Sequence, residues 1–288
     1  MIRLLLFVTF GAAAAYAATL LILWRFQERV VFQPPARVAA SRVPAHQVRY
    51  RTEDGVELFA YVVGECSPSG TVLLAFHGNA DLSRWFVPWA IEVARETGAC
   101  VVLPEYRGYD SLPGQPTYLS SAKDARAALD YVHDSLHVPQ SNIVYFGHSL
   151  GTAVAAELAD VAAPRALILQ SPFSSARDMG RRMFLPGLVA FWGLVSRVHF
   201  NTIARVESSN VPVWVVHGDN DFVVPVRMGR EVFNAAKTKG DLLIVHGAGH
   251  NDVPEVGGRD YWNWFARAMG VAPSSATPAA RAGTRSEP

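Results

Sequence analysis

Five residues, Gly147-His148-Ser149-Leu150-Gly151, constrain this chain more than any other stretch. They follow a short apolar, β-rich run at 143–146 and precede Thr152-Ala153-Val154-Ala155-Ala156-Glu157-Leu158-Ala159, which reads as a helix. The pattern is G-x-S-x-G at a strand–turn–helix junction. A turn this sharp strains the serine backbone and brings neighbouring backbones together, so side chains at 147 and 151 would collide. Ser149 then stands exposed above a sheet, with a helix N-terminus beneath it to favour developing negative charge. Such pentapeptides also arise in ordinary Gly/Ser loops. The motif gains meaning only if a base, an orienting acid and an oxyanion donor occur at suitable places.

The surrounding pattern supplies the frame. Residues 48–51 and 56–63, around Glu53-Asp54-Gly55, read as an antiparallel hairpin. Runs at 71–76, 99–103, 143–146, 166–169, 213–216 and 242–245 read as strands, the first two as strands buried on both faces. Helices are expected at 85–96, stopped by Gly98, then at 121–136, 226–237 and 259–269. Ser121 with Asp124 approximates a capping box for the second of these. Strands alternating with helices imply an α/β fold, a mostly parallel sheet with helices on both faces.

Polar clusters sit where strands end, which is where ligands gather in open α/β sheets. His217-Gly218-Asp219-Asn220-Asp221 and Gly247-Ala248-Gly249-His250-Asn251-Asp252 follow the last two strands. The chain order is Ser149, an aspartate, then His250, the order of an α/β-hydrolase. The imidazole of His250 takes the serine proton near neutral pH, and a buried carboxylate holds its tautomer. Asp221 is preferred over Asp219 because it has room to curl back toward the next loop. The oxyanion hole is expected from the N–H of Leu150 and from the loop His77-Gly78-Asn79-Ala80, with Asn79 as donor. His77 and His217 are expected to be structural, and His246 less able than His250 to reach Ser149. No spacing suggests a metal, and no cofactor is expected.

Half of the 288 residues are hydrophobic and the formal net charge is +1, which gives no electrostatic reason for a nucleic-acid partner. Residues 4–24 carry no charge, lie between Arg3 and Arg25, and span about 30 Å as a helix, the thickness of a bilayer core. Ala15-Tyr16-Ala17 resembles a cleavage site, but the apolar run continues to Trp24, favouring an uncleaved transmembrane anchor. Arg25, Arg29, Arg37 and Arg42 after the span favour a cytoplasmic catalytic domain by the positive-inside rule. Residues 25–44 read as a connector with Val30-Val31-Phe32 as a docking point, and 45–270 as the folded domain. The tail at 271–288 reads as disordered. Cys66 and Cys100 make no disulfide framework, and Cys100, opening a core strand, reads as a buried thiol.

Taken as a set and in this order, His77-Gly78-Asn79-Ala80, Tyr106-Arg107-Gly108-Tyr109, Gly147-His148-Ser149-Leu150-Gly151, Ser171-Pro172-Phe173, His217-Gly218-Asp219-Asn220-Asp221 and Gly249-His250-Asn251 resemble the membrane-anchored Bem46-like branch of α/β-hydrolases. The apolar N-terminus followed by Gln27-Glu28-Arg29-Val30-Val31-Phe32-Gln33-Pro34 is similar to that branch too. The resemblance implies an α/β-hydrolase fold and a serine hydrolase triad at Ser149, Asp221 and His250, acting on acyl esters or amides. Asp81 and Asp110 depart from it, standing where glycine is common; Asp110 either alters the pocket rim or faces solvent. An insertion at about 174–208 has the position of a small lid. Its uncharged stretch, 183–195, reads as a lid over the pocket or as a shallow membrane contact. Both readings favour an apolar or lipid-derived acyl substrate. A serine peptidase-like amide hydrolase and a non-catalytic anchored module are the rival readings.

Overall fold

The computed structural model describes residues 1–36, 42–183 and 196–272. Most of the expected lid stretch, the expected tail from 273 and part of the connector therefore lie outside the described residues. The centre is an eight-stranded sheet. Its strands are β1 (His46–Arg51), β2 (Glu57–Val63), β3 (Val72–Phe76), β4 (Cys100–Pro104), β5 (Ile143–His148), β6 (Ala166–Gln170), β7 (Val213–Gly218) and β8 (Lys239–Val245). The order across the sheet is β1-β2-β4-β3-β5-β6-β7-β8. β1 and β2 form the antiparallel hairpin and β3 to β8 run parallel. All five residues of β3 and of β4 are buried, as continuous apolar runs in a doubly covered sheet should be.

Helices cover both faces. Along β3, Leu73 and Ala75 pack with Val87, Ala90 and Val93 of α2 (Ser83–Thr97) and with Trp264 and Phe265 of the last helix. Val72, Leu74 and Phe76 point the other way, into a core shared with α3 (Tyr118–Asp134) and α4 (Leu150–Val161). That alternation is the period of two of a strand with apolar cover on each side. Between β6 and β7 lie α5 (Ala176–Met183) and α6 (Thr202–Ser208). α7 (Val226–Ala235) joins β7 to β8, and α8 (Val253–Ala268) closes the fold with a break at Gly258 (φ 50°, ψ −129°).

Several boundaries and pairings differ from the sequence expectation. α3 starts earlier, capped by Thr117 with Ser120 rather than by Ser121 with Asp124. Asp124 is instead buried against Arg107, accepting from its Nε at 2.8 Å and its backbone N–H at 3.0 Å. Cys66 and Cys100 are joined in a disulfide with Cα atoms 5.0 Å apart, correcting the buried thiol. Their pairing rests on the loop after β2 folding back onto the first residue of β4, a long-range contact that spacing does not reveal. The Asp110 side chain does not face solvent, because it is ion-paired with Arg84.

The first helix holds the largest difference. α1 (Ile2–Val31) does not stop near Trp24 but runs unbroken through the expected start of the connector. Its most apolar window has a mean hydropathy of 2.1 with none of it buried, which makes it a candidate membrane span. Its last turns dock on the domain. Gln27 is buried, Phe32 is 3% exposed in the main core, and Glu28 accepts a hydrogen bond from the N–H of Tyr118 at the start of α3.

Candidate active site

Ser149 sits between β5 and α4 with φ 51° and ψ −115°. For a non-glycine residue that conformation costs on the order of 1–3 kcal/mol. It is held by the N–H of Ser149, which donates to Gln170 O at 3.0 Å, and by the Thr152 hydroxyl, which donates to Ser149 O at 2.5 Å. The flanking glycines are steric necessities. A Cβ on Gly147 would lie 2.3 Å from Gly151 O, and one on Gly151 would lie 2.1 Å from Phe76 O. Leu150 opens α4, so its N–H belongs to the first turn, where no intrahelical acceptor exists.

The loop after β3 faces this turn. Asn79 and Leu150 line the same cavity as Ser149. Asn79 is held through its side-chain oxygen, which accepts from the N–H of Gln33 at 2.8 Å and from the hydroxyl of Tyr109 at 2.9 Å. Tyr106 donates from its hydroxyl to His77 O, and Glu105 accepts from Ser83 and pairs with His77 Nε2 at 2.8 Å. Burial works against charge on His77, yet the adjacent Glu105 carboxylate outweighs it and raises the pKa. His77 is thus a structural brace of the loop. Asp81 accepts from the N–H of Leu82 at the entrance to α2, and burial raises its carboxyl pKa.

Asp221 and His250 come together from the loops after β7 and β8. His250 Nδ1 donates to Asp221 Oδ2 at 2.7 Å. The other oxygen of Asp221 accepts the N–H groups of Val223 and Val224 at 2.9 and 2.8 Å. His217 adds a third kind of contact, with Nε2 3.2 Å from Asp221 Oδ2 and 2.9 Å from Val224 O. Burial alone would raise the Asp221 pKa, but the bonds from His217 and His250 outweigh it and hold the carboxyl well below the usual range. Asp219, by contrast, pairs with His246 at 2.7 Å on the surface.

His148 has a part that its place in the pentapeptide did not reveal. Its Nε2 donates to the backbone oxygen of His250 at 3.1 Å, tying the loop of one residue to the turn of the other. Burial, reinforced by the neighbouring His250, pushes its pKa down to about 3, so it is neutral at physiological pH. Two cavities meet at Ser149. One, of about 220 Å³, is almost wholly apolar and reaches up to α1. The other, of about 650 Å³, is lined by Trp85, Phe86, Trp89, His148 and His250. Among the described residues no cluster of side chains suits a metal ion.

Residues 71–188 match the model of the α/β hydrolase fold family. An uncharacterized protein of Mycobacterium tuberculosis is 34% identical over 252 residues, covering 86% of this chain and 88% of that protein. The α/β hydrolase domain-containing protein WAV2 of Arabidopsis thaliana is 29% identical over 285 residues, covering 89% of this chain and 91% of that protein. Among solved structures, the esterase Pf2001 of Pyrococcus furiosus superposes with a TM-score of 0.65 at 20% identity, covering 83% of this chain and 97% of that one. At that identity the likeness concerns the fold. A parallel sheet with a strained serine at its centre, matched along nearly its whole length by relatives of this kind, means that the chain belongs to the α/β-hydrolase fold family.

Proposed function

We propose that the protein is a membrane-anchored serine hydrolase that cleaves carboxylic ester or related acyl bonds of apolar, lipid-derived substrates. The observation that carries this reading is the His250–Asp221 bond of 2.7 Å, formed across two loops beside a serine on a strained turn. With Nδ1–H committed to Asp221, His250 presents the lone pair of Nε2 to Ser149. The Ser149 oxygen attacks the acyl carbon while its proton passes to His250. The N–H groups of Leu150 and Asn79 receive the oxyanion, each contributing about 3 kcal/mol by analogy with single-donor deletions. Collapse expels the alcohol, which takes the proton from His250 and leaves an acyl-serine. Water, deprotonated by His250, then attacks that ester, and the carboxylic acid departs with Ser149 restored. Asp221 stays ionised throughout and keeps the imidazole oriented. The apolar cavity suits the acyl chain and the wider aromatic cavity the leaving group.

The test is fluorophosphonate labelling of the full-length protein, with hydrolysis of an ester series of graded chain length. Labelling that disappears in Ser149→Ala, together with ester turnover, supports the reading. Labelling that survives this substitution, or no turnover of any ester, overturns it.

The Cys66–Cys100 disulfide favours the oxidising side of the membrane over the cytoplasmic side suggested by the arginine count, because cytosolic thiols are kept reduced. Alkylation of denatured, unreduced protein from cells should leave both cysteines unmodified. Modification of both returns the domain to the cytoplasm.

A further inference from the structure

We propose that α1 is a wall of the acyl site as well as an anchor, and that the acyl chain enters the site along this helix directly from the bilayer. The proposal rests on the serine hydrolase reading of Ser149 and names where its substrate comes from. Leu23, Gln27 and Val30 stand four and three residues apart on one stripe of α1 and line the apolar cavity at Ser149. Ala176, Met179 and Met183 of α5 line it from the opposite side, again at helical spacing. The cavity is therefore a slot between the anchor helix and the helix that opens the lid insertion, with the serine at its inner end.

The position of the slot along α1 gives the direction of entry. Leu23 lies within the uncharged run that ends at Trp24, whereas Val30 is about 10 Å further along the helix, toward the domain. An acyl chain lying beside the span at Leu23 thus borders a mostly apolar cavity that reaches Ser149. Among the described residues, no charged side chain lines this cavity.

The slot is clamped from outside. The backbone N–H of Arg197, just past the uncharged stretch of the insertion, donates to Gln27 Oε1 at 2.6 Å. Its guanidinium donates to Trp24 O at 3.0 Å and lies 4.9 Å from the centre of the Trp24 ring. At the inner end, the N–H of Gln33 holds Asn79, so the chain leaving α1 also braces the loop at the serine. A helix serving only as a tether has no need of polar contacts at both ends of a cavity.

The experiment uses full-length protein in phospholipid vesicles. The quantity measured is the ratio of kcat/KM for a long-chain to a short-chain ester, with fluorophosphonate labelling as the check on folding. Filling the slot with Leu23→Trp or Val30→Trp should lower that ratio by about tenfold or more, the scale of discrimination that apolar pockets achieve. Val30→Ala, which widens the slot, should move the preferred chain toward longer acyl groups. Leu21→Trp places the same bulk on an exposed part of α1 and should leave the ratio unchanged. Equal ratios in Leu23→Trp, Val30→Trp and Leu21→Trp, with labelling intact, overturn the proposal while leaving the hydrolase reading standing. Loss of Ser149-dependent labelling from the unsubstituted protein overturns both.

Discussion

Two aspartate–histidine pairs lie side by side at the end of the sheet, and their hydrogen bonds have the same length. Asp219 meets His246 at 2.7 Å and Asp221 meets His250 at 2.7 Å. Their surroundings separate them. The His246 side chain is 87% exposed, whereas His250 is 10% exposed and Asp221 is fully enclosed. An exposed pair is screened and contributes little to orientation or stability. A buried one, with its remaining lone pairs satisfied by Val223, Val224 and His217, is held in a single geometry. Distance alone does not distinguish the two pairs; enclosure and the count of donors do.

Removing the histidines in turn should separate the two pairs most widely. His250→Ala should lower kcat by on the order of 10⁶, and adding Ser149→Ala should lower it little further, because residues that act as one unit are not additive. His246→Ala should leave kcat within about twofold, as expected of an exposed substitution. A double variant that loses the product of the two single factors would separate Ser149 from His250. Next come the acids. Asp221→Asn should cost about 10⁴ in kcat through a mis-set tautomer, and Asp219→Asn far less. The reverse ranking would move the acid to Asp219.

A smaller effect is expected from the donor behind the acid. His217→Leu removes one hydrogen bond to a buried carboxylate, worth about 1–3 kcal/mol, and should reduce kcat by tens of fold with KM nearly unchanged. Equal changes in thermal stability and no change in kcat would make His217 a brace of the loop alone.

The smallest effect is read in pH. His148 has a folded-state pKa of about 3, below the unfolded value of about 6.5. Its neutral burial therefore stabilises the fold fully above pH about 6.5, and that contribution fades as pH falls toward 3. His77, with its raised pKa, works in the opposite sense: its contribution is present below the unfolded value and is lost as pH rises through the folded one. Chemical denaturation of His148→Gln between pH 6.5 and 4.5 should show a shallower loss than the unsubstituted protein. The difference should reach at most about 1.4 kcal/mol per pH unit. Parallel curves would mean that His148 is not buried neutral.

What could be read directly from the sequence is what short-range physics controls. Gly147 and Gly151 are dictated by backbones that pass too close for a Cβ, and the alternation of strand and helix follows from apolar spacing within a few residues. The order of serine, aspartate and histidine is likewise written along the chain. The tertiary structure decided what depends on which loops cross. It chose Asp221 as the partner of His250, enclosed Asp110 with Arg84, joined Cys66 to Cys100 and tied His148 to the loop of His250. It also carried α1 past its apolar run to line a cavity at Ser149, where Gln27 and Val30 read as connector in the sequence. The physical reason is the same in each case: these contacts join residues far apart in the chain, and their energies come from burial and paired donors that exist only once the sheet has assembled around them.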